Sequence, residues 1–108
     1  LLFATMADKE WEIMLLALST TVDEVVLTRV DMERSADPQM LVEKLNKSIP
    51  HRVISDSRVA LKTLLDEAHD QDVIVVAGSL YLLGEVRPML EDLASARTAG
   101  SSSINSQR

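Results

Sequence analysis

Two short clusters hold the residues best suited to chemistry. Gly78-Ser79 follows an apolar run and precedes an amphipathic one. A glycine there lets the backbone turn tightly and approach a ligand. A serine at the start of a helix sets a hydroxyl beside free N–H groups and the positive end of the helix dipole, a setting that suits a carboxylate or a phosphate. The simpler use of Ser79 is to cap its own helix, and local sequence favours that use. Asp8-Lys9 also follows an apolar run. The lysine there could meet an anionic substrate as a point charge. The aspartate could orient that lysine, hold a hydroxyl or cap a helix; a plain cap beside a solvated lysine is the simpler alternative. His51 and His69 stand on different elements with no carboxylate pattern around them that spells a metal site, and neither is assigned a role. Arg29 and Arg34 bracket Asp31 and Glu33 in what reads as a solvated loop, and Trp11 and Tyr81 read as packing aromatics.

The elements that must position these residues alternate between short apolar runs and amphipathic stretches. Strands are expected at 1–6, 25–28, 51–54 and 73–77, the last a continuous β-branched run of the kind covered on both faces. Asp8 is expected to open a helix with Trp11, Met14, Leu15 and Leu18 at core spacing. Asp37-Pro38 starts a second helix as N-cap and first turn, with Pro38, Leu41, Val42 and Leu45 on one face. Ser55 or Asp56 caps a third, with a stripe of Leu61, Leu64, Leu65 and Ala68. A last helix is expected over 80–94, with Pro88 kinking it or resetting its start, and Gly84 allowing close approach to the sheet. Four strand–helix units imply an α/β fold with a mainly parallel sheet and helices on its faces. Ligands in such sheets bind beyond the carboxyl ends of the strands, which is where Asp8, Lys9 and Ser79 fall. The tail, 95–108, is small and polar and is expected to be disordered.

Composition narrows the functions. Across 108 residues, 11 Lys and Arg face 17 Asp and Glu, a net charge of −6 that argues against a nucleic-acid module. Cysteine is absent, which excludes disulfides, thiolate zinc sites and cysteine nucleophiles. With glycine only at 78, 84 and 100, neither a G-x-x-x-x-G-K-[ST] nor a G-x-G-x-x-G phosphate loop can be built. No apolar run reaches the roughly 18 residues of a membrane span, and residues 1–6 lack the basic leader of a secretory signal. A soluble, cytoplasmic domain is expected. The chain opens on Leu1-Leu2 inside an apolar run, which suggests a fragment whose upstream part is missing.

Three stretches carry a family resemblance. GSLYLLGEVRPML (78–90), directly after an apolar strand, resembles the terminal motif of folylpolyglutamate synthases, which also serve as dihydrofolate synthases. LLFATMADKEWEIML (1–15) resembles that family's strand running into an A-D-K-D-like turn, and LTRVDMERSADPQML (27–41) its next strand and R-S-x-x-P-like loop. Order and spacing agree over residues 1–93. The resemblance implies most of the carboxy-terminal domain of a Mur-type amide ligase at 1–94. That domain is a three-layer Rossmann-like unit whose first strand, bearing a D-G-A-H-N motif, would lie upstream together with the amino-terminal ATPase domain. It implies ATP-dependent addition of L-glutamate to folate or dihydropteroate through an acyl phosphate. ATP and Mg2+ would be bound mainly outside this chain, the full-length enzyme would be a monomer, and this part alone would be inactive. Lys9 would be a charge partner for the carboxylates of glutamate, Ser79 a hydrogen-bond donor to one of them, and Asp8 a lesser contributor; no residue here would be catalytic and none would bind metal. Two other readings stay open: a stand-alone flavodoxin-like binding module, and the same domain from a ligase of cell-wall precursors. A receiver-type module lacks its acidic pair, since Asp8 is the single carboxylate well placed at a strand end.

Overall fold

The computed structural model describes residues 1–8 and 10–100, with side chains to residue 94; Lys9 and the polar tail beyond 100 lie outside the described residues. The elements run β1 (Leu2–Phe3), α1 (Glu12–Ser19), β2 (Val25–Arg29), α2 (Pro38–Lys44), β3 (His51–Asp56), α3 (Ser57–Glu67), β4 (Val76–Ala77) and α4 (Leu80–Gly100). The sheet has four strands in the order β3-β2-β1-β4, every pair parallel. The α/β, three-layer reading therefore holds.

Strand alternation explains the layers. Leu1, Phe3, Val25 and Leu27 point to one face, where Trp11 and Leu15 of the α1 segment and Leu41 and Leu45 of the α2 segment complete one core. Leu2, Ala4 and Val26 point to the other, against Ala60 and Leu61 of α3 and Leu82 and Val86 of α4. Each Leu, Val or Phe taken out of water here contributes about 1.5–3 kcal/mol before the entropy of ordering is counted. Both central strands are covered on both faces, as their unbroken apolar runs require.

Local signals place the helix starts. Asp37 accepts from the backbone N–H of Gln39 at 3.0 Å, with Pro38 in the first turn. Asp56, not Ser55, caps α3, accepting from the N–H groups of Arg58 and Val59 at 2.9 and 3.1 Å. The stripe on α3 is Ala60 and Leu61, with Leu64 and Leu65 half-buried; Ala68 lies just past the helix and is exposed.

Several expectations are corrected. Helix α1 begins at Glu12, because the backbone at Ala7 is first tied to the Arg34 carbonyl at 2.7 Å and the Asp8 side chain is engaged elsewhere. Met14 sits at the exposed rim of the α1 stripe. Only Val76–Ala77 of the 73–77 run is regular strand, and Val73 is 82% exposed. β4 is an edge strand, paired with β1 alone, so its beginning has no neighbour to cover it. Gly84 does not approach the sheet: a side chain added there would meet nothing within 4 Å. Leu82 and Val86 are the residues that face the sheet, which turns Gly84 outward. Helix α4 starts at Leu80, passes through Pro88 and runs to Gly100, beyond the expected end at 94. Tyr81 is exposed rather than packed, whereas Trp11 is buried as expected.

Candidate functional site

The carboxyl ends of β2, β1 and β4 lie side by side, and the two clusters singled out by sequence leave the sheet there. Phe3 is in register with Ala77, so the turn after β4 passes directly over the start of the turn after β1. Gly78 has φ +105, and a Cβ on it would overlap the Ala4 carbonyl oxygen and press on the Phe3 ring at 2.8 Å. Only glycine fits such a conformation and approach without strain. This close crossing delivers Ser79 to the sheet edge.

Ser79 does cap its helix: its Oγ accepts from the N–H of Tyr81 at 3.0 Å. That bond uses a lone pair of the oxygen. The hydroxyl proton stays uncommitted among the described residues, so capping and donation to a ligand are compatible.

Asp8 does not cap α1. Its Oδ2 accepts from Arg34 Nη1 at 2.9 Å, joining the end of β1 to the loop after β2. Both side chains are more than half exposed, so the pair contributes little to stability and presents a carboxylate and a guanidinium to solvent at the edge. Arg34, read from sequence as a solvated loop residue, is a candidate that sequence reasoning did not single out. Its partner lies on another strand end, and the only local hint was its place past the carboxyl end of a strand.

The loop carrying Arg34 is built, not floppy. Met32 N–H donates to the Val30 carbonyl at 2.8 Å, Ser35 N–H to the Met32 carbonyl at 3.0 Å, and Val30 N–H to Ser35 Oγ at 3.0 Å. Ala36 N–H then returns to the Thr5 carbonyl at 2.8 Å, and Met6 and Ser35 form an antiparallel bridge. The loop thus straps β2's end onto β1's. Beside it opens a cleft of about 570 Å³, lined by Arg29, Asp31, Glu33, Ser57, Arg58 and Glu85 among others.

The two histidines take no part. His51 Nδ1 lies 2.8 Å from the Ile49 carbonyl at the start of β3, and His69 is exposed beside Asp72 before β4, both towards the amino-terminal ends of the strands and away from Ser79. Among the described residues no group of three His, Asp or Glu could hold a metal ion. Every buried side-chain polar atom there already has a partner. No described helix is long and apolar enough to cross a membrane.

The comparisons with known proteins agree with this architecture. No curated protein matches the chain. Among solved structures, a bifunctional folylpolyglutamate synthase/dihydrofolate synthase from Yersinia pestis c092, complexed with AMPPNP and Mn ion, matches with a TM-score of 0.73 and 29% identity. The match covers 82% of this chain and 21% of that one, so the chain spans about a fifth of that enzyme's length. The family model described as "Mur ligase, glutamate ligase domain" matches residues 1–80, from β1 through the Gly78-Ser79 turn. With the sheet, the strand-end turns and this match in agreement, the chain belongs to the glutamate ligase domain family of the Mur ligases.

Proposed function

We propose that this chain is the carboxy-terminal part of an ATP-dependent amide ligase that adds L-glutamate to folate or dihydropteroate, and that it contributes to the glutamate site. The observation that carries the reading is that both clusters leave the carboxyl ends of paired strands: a helix-capping serine with an uncommitted proton, set after β4 by Gly78, and the Asp8–Arg34 pair after the neighbouring β1. The likeness to the Yersinia enzyme supports the choice of folate over a cell-wall precursor as acceptor.

In such a reaction ATP transfers its terminal phosphoryl group to the acceptor carboxylate and leaves as ADP; the amine of glutamate then attacks the acyl phosphate, losing a proton as inorganic phosphate departs. The nucleotide and magnesium ion are held mainly outside this chain, in an amino-terminal ATPase domain. What this chain supplies is recognition of the incoming amino acid. Glutamate brings two carboxylates and one ammonium. Ser79 Oγ–H donates to one carboxylate, where the first turn of α4 adds its own N–H groups and dipole. Arg34 offers a planar fork to the other. Asp8 holds that guanidinium in place and supplies negative charge for the ammonium. Lys9, next in sequence, adds the point charge. Fixing both carboxylates at a rigid edge orients the amine for attack, and orientation is what such a domain contributes to rate.

The test is kinetic. In the full-length ligase, Ser79→Ala, Arg34→Ala and Lys9→Ala each raise the KM for glutamate by about tenfold, the loss of one charge-assisted contact, and leave the KM for ATP unchanged. Unchanged glutamate kinetics in all three contradicts the reading.

A further inference from the structure

Glu85 is a half-buried carboxylate that the glutamate-site reading does not use. It stands on α4, the helix that Ser79 caps, and its two oxygens reach different elements. Oε2 accepts from the backbone N–H of Asp31 at 2.5 Å, and Oε1 accepts from Ser57 Oγ at 2.6 Å. Asp31 opens the strap that carries Arg34, and Ser57 is the first residue of α3, a residue only 2% exposed. One side chain thus joins the ends of β2 and β3 to the helix that presents Ser79.

We infer that Glu85 is a positioning residue for the glutamate site, setting Arg34 relative to Ser79 through the strap; this rests on the reading given above. The strap's internal bonds, Met32 to Val30, Ser35 to Met32 and Val30 to Ser35, make it one body from Asp31 to Arg34. Such a body is located by its anchors. One is the segment that follows β1, through Ala36 to Thr5 and Ala7 to Arg34. The other is Glu85, and it belongs to α4. Without it the strap keeps β2 and the apolar packing of Val30 and Met32 in the core that holds Leu82 and Val86, but loses its hydrogen-bonded tie to α4, the one that fixes its position across that apolar contact. The chemistry fits a fixed strut. A carboxylate accepts on both oxygens at once, and charged acceptors make the shorter, stronger bonds. The bonds also satisfy a buried hydroxyl that would otherwise be costly.

The experiment measures KM for glutamate, KM for ATP and the melting temperature in the full-length ligase for Glu85→Ala, Glu85→Asp and Glu85→Gln, with Ser79→Ala and Arg34→Ala alongside. Glu85→Asp keeps the charge near the α3 start but is too short to span both donors. Glu85→Gln can still accept from Asp31 while its amide donates to the Ser57 oxygen. The expected result is a rise of about tenfold in glutamate KM for the Ala and Asp variants, near-complete rescue by Gln, and no change in ATP KM. A lower melting temperature with unchanged glutamate KM in both the Asp and Ala variants overturns the inference and makes Glu85 purely structural. Should Ala not fold, the Asp and Gln pair decides. If Ser79→Ala and Arg34→Ala raise glutamate KM while the Glu85 variants do not, the positioning role fails and the site stands. If none of them does, the site itself fails.

Discussion

Arg34 Nη1 donates to Asp8 Oδ2 at 2.9 Å, a contact between residues 26 positions apart that joins the exits of neighbouring strands. Its energetic insignificance is informative. Exposed ion pairs contribute about 0–1 kcal/mol, so a guanidinium and a carboxylate held there add little to folding and remain open to a ligand at the edge. Arg34→Ala is expected to shift the denaturation midpoint by less than about 1 kcal/mol equivalent, measured by urea titration, while weakening glutamate use in the parent enzyme. A large stability loss would make Arg34 a structural residue.

Gly78→Ala is expected to behave in the opposite way. Its positive φ and the Ala4 carbonyl oxygen leave no room for a Cβ. The cost is about 1–3 kcal/mol of backbone strain, with further loss from displacing Phe3 out of the core. The check is a lower urea midpoint at unchanged slope, together with loss of glutamate binding. A variant as stable as the parent would contradict the close crossing of the β4 exit over β1.

Asp56→Ala removes a side chain that accepts from both Arg58 and Val59 N–H groups. A loss of about 1 kcal/mol is expected, as for a helix N-cap, read from the same titration. No loss would mean that water replaces the cap without cost.

A dependence on pH is expected from the amino-terminal side of the sheet. Arg52 bonds Glu24 at 2.6 Å and Glu67 at 2.7 Å. Hydrogen bonding from Arg52 holds the Glu67 carboxyl below its ordinary value of 4.5, and the His69 backbone N–H does the same for Asp72, ordinarily at 3.8. Both values are depressed in the fold, so the unfolded chain binds more protons in this range and stability rises with pH through it. The contribution is fully present above pH 4.5 and is lost as the pH falls through the depressed values. Arg52→Gln is expected to flatten the acid limb of a stability–pH profile; an unaltered limb would exclude Glu67 from it.

The 108-residue chain by itself is expected to release no ADP when given ATP, glutamate and folate, since its sequence carries neither glycine-rich phosphate loop and the proposal places ATP and magnesium mainly on another domain. Release dependent on all three substrates would overturn the division of labour proposed here.

Much of the fold was legible because its signals are contiguous. Asp37-Pro38 and Asp56 announce helices α2 and α3 within two or three residues of the N–H groups they cap. The apolar runs at β1 and β2 report a sheet covered on both faces. The extent of β4 was not legible: Val73 and Val75 have the composition of a buried strand, but strand order decides coverage, and β4 falls at the edge. The site divides in the same way. Strand ends are where ligands bind in such sheets, and the placement of Ser79 and Asp8 there was legible. Arg34 and Glu85 were not, since Asp8 is 26 residues from one and Asp31 is 54 from the other, and those separations close only when the strands are laid in order.

The most direct test of the central claim is the KM for glutamate, set against the KM for ATP, in the full-length ligase carrying Ser79→Ala. The account predicts that the glutamate value rises by about tenfold while the ATP value stays where it was. Equal values in the variant and the parent for both substrates would reduce Ser79 to a helix cap and contradict the placement of glutamate at this edge.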